Sequence, residues 1–191
     1  MTQGQELLAK IRDRSVRIAV IGLGYVGLPL AVGFAKAGAR TVGVDIDLEK
    51  VERIGRGESY ILDVKDEAVA DLVARGLLSA ATDYTVLKGV DAIFICVPTP
   101  YTRMKAPDLS YIESACRGLA RRLQRGHLVV LQSTTYPGTT EELVLPLLEA
   151  SGLKAGQDFF LAFSPERIDP GNKRYGVENT PKVVGGIDER S

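Results

Sequence analysis

Apolar residues recur along this chain in two rhythms that take turns. Short apolar runs at 17–21, 41–44, 92–97, 128–131 and 159–163 have the length of strands. The last three are apolar at every position, the pattern of strands buried on both faces. A weaker strand is predicted around Tyr84-Thr85-Val86, and a closing edge strand at 182–186. Between the runs the period lengthens. Leu7, Leu8 and Ile11 suit a short amphipathic helix at 4–14. Val26, Leu30, Phe34 and Ala37 mark a longer one that tolerates Pro29 in its first turn and stops at Gly38. Helices are also predicted at 48–54 and 66–75, the latter ended by Gly76, with a flexible loop over 55–63 between them. Asp108 is placed to cap a helix whose stripe is Ile112, Ala115, Cys116, Leu119 and Leu123. After Tyr136-Pro137-Gly138, Thr139 and Glu142 have the spacing of a capping box. Strand and helix patterns alternate without repeats or low-complexity linkers. The fold class is therefore α/β, a doubly wound and mainly parallel sheet with helices on both faces, read as one domain over 1–191.

Composition removes several classes of partner. Lysine plus arginine equals aspartate plus glutamate at 24 each, so no net field favours nucleic acid or an anionic membrane. No apolar run has the length of a membrane span and the first residues lack a signal-type core, which makes the cytoplasm the default location. Cys96 and Cys116 are too few for a disulfide framework and lack metal-ligand spacing; both are expected reduced, with Cys116 in the core.

The chemistry starts where the first strand opens into Gly22-Leu23-Gly24-Tyr25-Val26-Gly27. Spacing of the form G-x-G-x-x-G between a strand and a helix has a mechanical reading. Gly22 permits the turn, Gly24 lets a pyrophosphate approach the backbone, and Gly27 lets the helix lie close on the strand. The phosphates then face the unpaired N–H groups of the helix start. Asp45 ends the second strand at about the twenty-residue offset where a carboxylate meets the ribose hydroxyls, and Ile46 follows where a reader of a 2′-phosphate would want arginine. The pattern is Rossmann-type, with NAD favoured over NADP. The plainer alternative keeps the glycines for packing only and leaves Asp45 as a solvated strand end or the cap of the helix from Leu48.

Four segments arrive at strand carboxyl ends in order: 22–30 (Gly-Leu-Gly-Tyr-Val-Gly-Leu-Pro-Leu), 96–100 (Cys-Val-Pro-Thr-Pro), 133–140 (Ser-Thr-Thr-Tyr-Pro-Gly-Thr-Thr) and 164–167 (Ser-Pro-Glu-Arg). Together they resemble the nucleotide-sugar 6-dehydrogenases, the UDP-glucose/GDP-mannose dehydrogenase family, over nearly the whole chain. Segments 57–61, 106–111 and 166–172 look most like the UDP-N-acetylhexosamine branch, the UDP-N-acetylglucosamine 6-dehydrogenases in particular. The resemblance implies oxidation of a sugar C6 alcohol to a carboxylate with two NAD, through a cysteine that holds the carbon as thiohemiacetal and then thioester. It also implies a homo-oligomer and a UDP-sugar partner. The family's Gly-x-Cys-x-Pro-Lys-Asp stretch and its later lysine and asparagine have no counterpart here. The chain thus reads as the N-terminal, NAD-binding portion, expected inactive alone, with a free-standing NAD-binding or regulatory module as the alternative.

By that resemblance Gly22, Gly24, Tyr25, Val26 and Gly27 form the phosphate turn and Asp45 holds the ribose. Pro98 and Thr99 run beside the cofactor, and Ser133 and Thr134 lie near the nicotinamide. Thr134 would hold the water that attacks the thioester, and Glu166 would orient it or take its proton. UDP-glucose-type members carry a second glutamate where this chain has Pro170; Asp169 is the nearby charge. Taken on the residues alone, Glu166 reads as a solvated loop carboxylate and Thr134 as a hydroxyl that satisfies loop backbone. Arg103 and Arg167, with Lys105, Lys173 and Arg174, lie on the same loops and would meet substrate phosphates or simply face water. Cys96, at the end of a buried strand, is rejected as nucleophile. His127, the sole histidine, reads as a polar strand end.

Overall fold

The computed structural model describes residues 2–101, 105–167, 174 and 179–191. Its elements are α1 (Gln3–Arg12), β1 (Arg17–Ile21), α2 (Gly27–Lys36), β2 (Arg40–Val44), α3 (Leu48–Gly55), α4 (Asp66–Ala74), β3 (Leu78–Ala81), β4 (Ala92–Ile95), α5 (Ser110–Ala120), β5 (Leu128–Leu131), α6 (Leu145–Glu149), β6 (Phe160–Phe163) and β7 (Gly185–Gly186). The sheet runs β3-β2-β1-β4-β5-β6-β7, parallel except for β7 against β6. Strand order reverses between β1 and β4, the place where open α/β sheets bind ligands beyond the strand carboxyl ends. This is the expected doubly wound architecture.

Two cores lie on opposite faces, and the alternation of β1 divides it between them. Ile18 and Val20 pack with Leu7 of α1, Leu28, Leu30 and Val32 of α2, and Leu72 of α4. Ala19 and Ile21 pack with Ile112, Cys116 and Leu119 of α5 and Leu148 of α6. The side-chain period of two in the strand thus meets helices on each face, which is why the central strands read as continuously apolar.

Several expectations are corrected. Tyr84–Leu87 is a 3-10 turn, begun where the Asp83 carboxylate accepts from the Thr85 N–H at 2.7 Å. The third strand is instead Leu78-Ser79-Ala80-Ala81, which pairs with β2 in register Thr41 to Leu78. Small residues without β-branching gave it no strand signature. The capping box at Thr139 does not form. Thr139 already has helical backbone and its hydroxyl donates to the Tyr136 carbonyl at 2.8 Å, because the helical turn starts one residue earlier at Gly138. Thr140–Val144 then widens into a π turn ahead of Pro146, whose ring and missing N–H do not fit a regular α-turn. Finally, α1 begins under a capping box of Thr2 and Gln5 and buries only Leu7; Leu8 and Ile11 are exposed.

His127 differs too. It is buried, and its Nδ1 accepts from the Gln124 N–H at 3.2 Å. The closing edge strand shrinks to Gly185–Gly186. No described helix is long and apolar enough to cross a membrane.

Candidate functional site

The glycine turn is built by close approach. Gly22 has φ +90°, and a Cβ there would lie 2.7 Å from the Cys96 carbonyl oxygen, so both backbone conformation and space require glycine. Its N–H donates to the Val44 carbonyl at 2.7 Å. A Cβ on Gly27 would overlap the Gly22 carbonyl oxygen, which is how α2 comes to lie directly on the turn. Gly24 differs from both: a Cβ there would meet nothing within 4 Å, because its Cα faces open space. Among the described residues the N–H groups of Gly24, Tyr25 and Val26 meet no acceptor. Three free donors at a helix start are an anion site in waiting.

Asp45 stands across from them. It is buried, its Oδ2 accepts from the Leu23 N–H at 2.7 Å and its Oδ1 from the Asp47 N–H at 3.0 Å. Lys50 Nζ is 3.2 Å from Oδ2. A carboxylate has about four acceptor positions, so three contacts leave room for a hydroxyl donor. Asp45 is not the α3 cap; Asp47 is, accepting from the Glu49 N–H at 3.0 Å. Gly22, Gly24, Asp45, Lys50, Pro98 and Tyr111 line a cleft of about 290 Å³. Lys50 and Tyr111 were not singled out from sequence. Lys50 reaches back from the first turn of α3 to Asp45, a contact that no helical i,i+3 or i,i+4 spacing in the sequence marks.

At the other end of the crevice the β4 and β5 termini are tied together. The Thr99 hydroxyl donates to the Thr134 carbonyl at 2.7 Å, and the Ser133 hydroxyl to the Val97 carbonyl at 2.8 Å. Thr134 itself is exposed and Ser133 buried. Glu166 is brought to Gln132 rather than left in solvent: its Oε2 accepts from Gln132 Nε2 at 2.6 Å and Lys182 Nζ lies 3.2 Å from both oxygens. Its Oε1 also accepts from the Arg167 N–H at 2.6 Å, while Arg167 is exposed. The side chain of Glu166 is 7% exposed, which overturns the reading of a solvated carboxylate. Arg103, like Asp169, Pro170 and Lys173, lies outside the described residues.

Neither cysteine is poised for chemistry. Burial pushes the Cys96 thiol far up, the Glu166 charge adds to it, and Lys182 opposes it only weakly. Cys116 is raised by burial to about 12. Tyr60 is held protonated by burial, with the Asp45 charge acting the same way, and its hydroxyl donates to the Leu23 carbonyl at 2.7 Å.

The residues fit a dinucleotide: free amides at an open glycine, a buried carboxylate with spare acceptor capacity and a cleft joining them. Comparison with known proteins agrees. Residues 16–191 match the NAD-binding domain of the UDP-glucose/GDP-mannose dehydrogenase family. The chain is 39% identical over 177 residues to a UDP-N-acetyl-D-mannosamine dehydrogenase of Pyrococcus horikoshii, covering 92% of this chain and 42% of that protein. It is 39% identical over 174 residues to a UDP-N-acetyl-D-glucosamine 6-dehydrogenase of Pseudomonas aeruginosa, covering 91% and 40%. The solved structure of the Pyrococcus horikoshii UDP-D-ManNAc dehydrogenase superposes with a TM-score of 0.84 at 39% identity over 92% of this chain and 42% of that one. A ternary complex of the Pseudomonas aeruginosa GDP-mannose dehydrogenase superposes with a TM-score of 0.78 at 36% identity, over 81% and 37%. The chain spans about two fifths of the length of these relatives. It belongs to the UDP-glucose/GDP-mannose dehydrogenase family, as that family's NAD-binding domain.

Proposed function

We propose that this chain is the NAD-binding portion of an enzyme that oxidises the C6 alcohol of a UDP-sugar, a UDP-N-acetylhexosamine, to the uronate. The alcohol to carboxylate change removes four electrons and consumes one water, so it needs two NAD in turn. NAD held at the cleft would supply the hydride-accepting chemistry that both stages need. The observation that carries the reading is the set of N–H groups at Gly24, Tyr25 and Val26 that meet no acceptor among the described residues, beside the buried Asp45 carboxylate. The amides would hold the pyrophosphate, and Asp45 would take the adenosine ribose hydroxyls with its unused acceptor position. Pro98 and Thr99 form the wall beside the cofactor, and Ser133 holds the β5 end in place for Thr134.

The attacking cysteine comes from outside this chain, since Cys96 is buried and its thiol strongly disfavours ionisation. Thr134 presents a hydroxyl to the water that cleaves the thioester. Glu166 is paired with Lys182 and aimed by Gln132. To take the proton of that water it exchanges one of these contacts for the water itself. By the family resemblance, Arg167 and Arg103 would meet the substrate phosphates. A free-standing NAD module is the weaker reading, because the relatives named above are dehydrogenases more than twice as long.

Titration calorimetry of the chain with NAD, NADP and UDP-N-acetylhexosamines tests the proposal. NAD is expected to bind, and more tightly than NADP, because Asp45 and Asp47 repel a 2′-phosphate more than the single Lys50 attracts it. Equal affinity for both cofactors removes the role assigned to Asp45.

A further inference from the structure

Leu23 is held at three points. Its side chain is fully buried against Gly43, its N–H donates to Asp45 at 2.7 Å, and its carbonyl accepts from the Tyr60 hydroxyl at 2.7 Å. Tyr60 belongs to the segment between α3 and α4 that the glycines of 55–63 made look loose. That segment is tied down. The Ser59 N–H donates to Asp66 at 2.8 Å, Arg53 donates to the Ser59 carbonyl, and the Arg53 guanidinium sits 5.6 Å from the Tyr60 ring centre. Ile61 and Val64 are buried in the core beside α2.

We propose that Tyr60 is a positioning residue for the phosphate turn, and that it acts by locking the peptide plane between Leu23 and Gly24. A trans peptide is planar and its C=O and N–H point in opposite directions. A donor on the Leu23 carbonyl therefore sets the direction of the Gly24 N–H, one of the three donors with no acceptor among the described residues. Asp45 fixes the neighbouring plane through the Leu23 N–H, so two planes in sequence are set from opposite sides. Without the phenol, the Leu23 carbonyl is left to seek water and the Leu23–Gly24 plane is free to turn. The amide then no longer stands ready for a diphosphate, and the ordering has to be supplied at binding. The strap of 55–64 thereby contributes to cofactor affinity without touching the cofactor. This rests on the diphosphate being held at Gly24, as proposed above.

The test is Tyr60→Phe, which keeps the ring over Arg53 and removes only the hydroxyl. Two measurements are made on the folded chain. In the absence of ligand, the Gly24 amide is followed by ¹⁵N–¹H spectroscopy and hydrogen exchange; in its presence, NAD affinity is measured by calorimetry. The lock predicts a shifted, faster-exchanging Gly24 amide and an NAD Kd raised about fivefold, the loss of one net hydrogen bond. A variant with a lower Tm but unchanged Gly24 amide and unchanged Kd overturns it, since that is what a merely structural tyrosine would do. If the unsubstituted chain binds no NAD, the dinucleotide reading fails, while the Gly24 amide still decides whether the lock exists. Should Tyr60→Phe not fold, the hydroxyl proton of Tyr60 in the unsubstituted chain decides: slow exchange with a proximity to Leu23 supports the lock, and free exchange overturns it.

Discussion

The Asp45 carboxylate accepts the Leu23 N–H at 2.7 Å across 22 residues, so the group that faces the cofactor cleft also holds the glycine turn in shape. One side chain thus serves two purposes, and they separate on substitution. Asp45→Ala leaves a buried N–H without a partner, at a cost of about 1–3 kcal/mol. It should lower Tm and weaken NAD together. Asp45→Asn keeps a carbonyl for Leu23 and should recover most of the Tm but not the NAD affinity. Equal recovery of both would mean that the carboxylate charge has no part in binding.

Two glycines three residues apart, Gly24 and Gly27, make opposite predictions. Gly27→Ala forces a methyl into the Gly22 carbonyl and should destabilise the fold by about 3 kcal/mol. Gly24→Ala meets open space and should stay within about 0.5 kcal/mol of the parent. NAD affinity should nevertheless drop about tenfold in Gly24→Ala, because the methyl stands where the pyrophosphate approaches. Urea unfolding and calorimetry on the two variants check both statements; an unstable Gly24→Ala would show that this side of the turn is not open.

His127 gives the chain a pH dependence of known sign. Burial lowers its folded pKa below the ordinary 6.5, with the Asp91 carboxylate and Val90 carbonyl acting the other way. Above that value both states are neutral and nothing changes. Below about 6.5 the unfolded chain takes a proton that the folded chain refuses, so stability falls as pH drops toward the folded value. His127 is the sole histidine, so the urea midpoint should fall between pH 7.5 and pH 5.5 in the parent and stay nearly level in His127→Asn. A level parent curve contradicts the burial argument.

Glu166 and Lys182 form a pair that is largely shielded, with side chains 7% and 23% exposed. Glu166→Gln leaves Lys182 without its counter-charge, at a cost between the ~0.5 kcal/mol of exposed pairs and the ~3–5 kcal/mol of buried ones. On the proposed function, in an enzyme that joins this chain to the attacking cysteine, the same change should slow thioester hydrolysis more than the first oxidation. Unchanged burst and steady-state rates would take Glu166 out of the mechanism.

Cys96 and Cys116 should resist iodoacetamide in the folded chain and react only as urea unfolds it, because both thiols are buried and disfavour ionisation. Labelling of Cys96 at the rate of a free thiol would reopen its candidacy as nucleophile.

Periodicity and glycine spacing were enough for the alternation of strands and helices, the turn at 22–27 and the approximate place of Asp45. Those features depend on neighbours a few residues away, or on one face meeting a core, and such preferences are written locally. The third strand was not legible, because Leu78-Ser79-Ala80-Ala81 has no strand character of its own and exists by pairing with β2. Nor was the Thr139 failure, since the same residues cap or do not cap according to where the preceding turn of Gly138 places them. The tertiary structure alone decided that Tyr60 meets Leu23 from 37 residues away, and that Glu166 meets Gln132 from 34 and Lys182 from 16. A hydrogen bond between distant segments leaves no period or spacing in the chain, and only the packing of the sheet brings its two ends together.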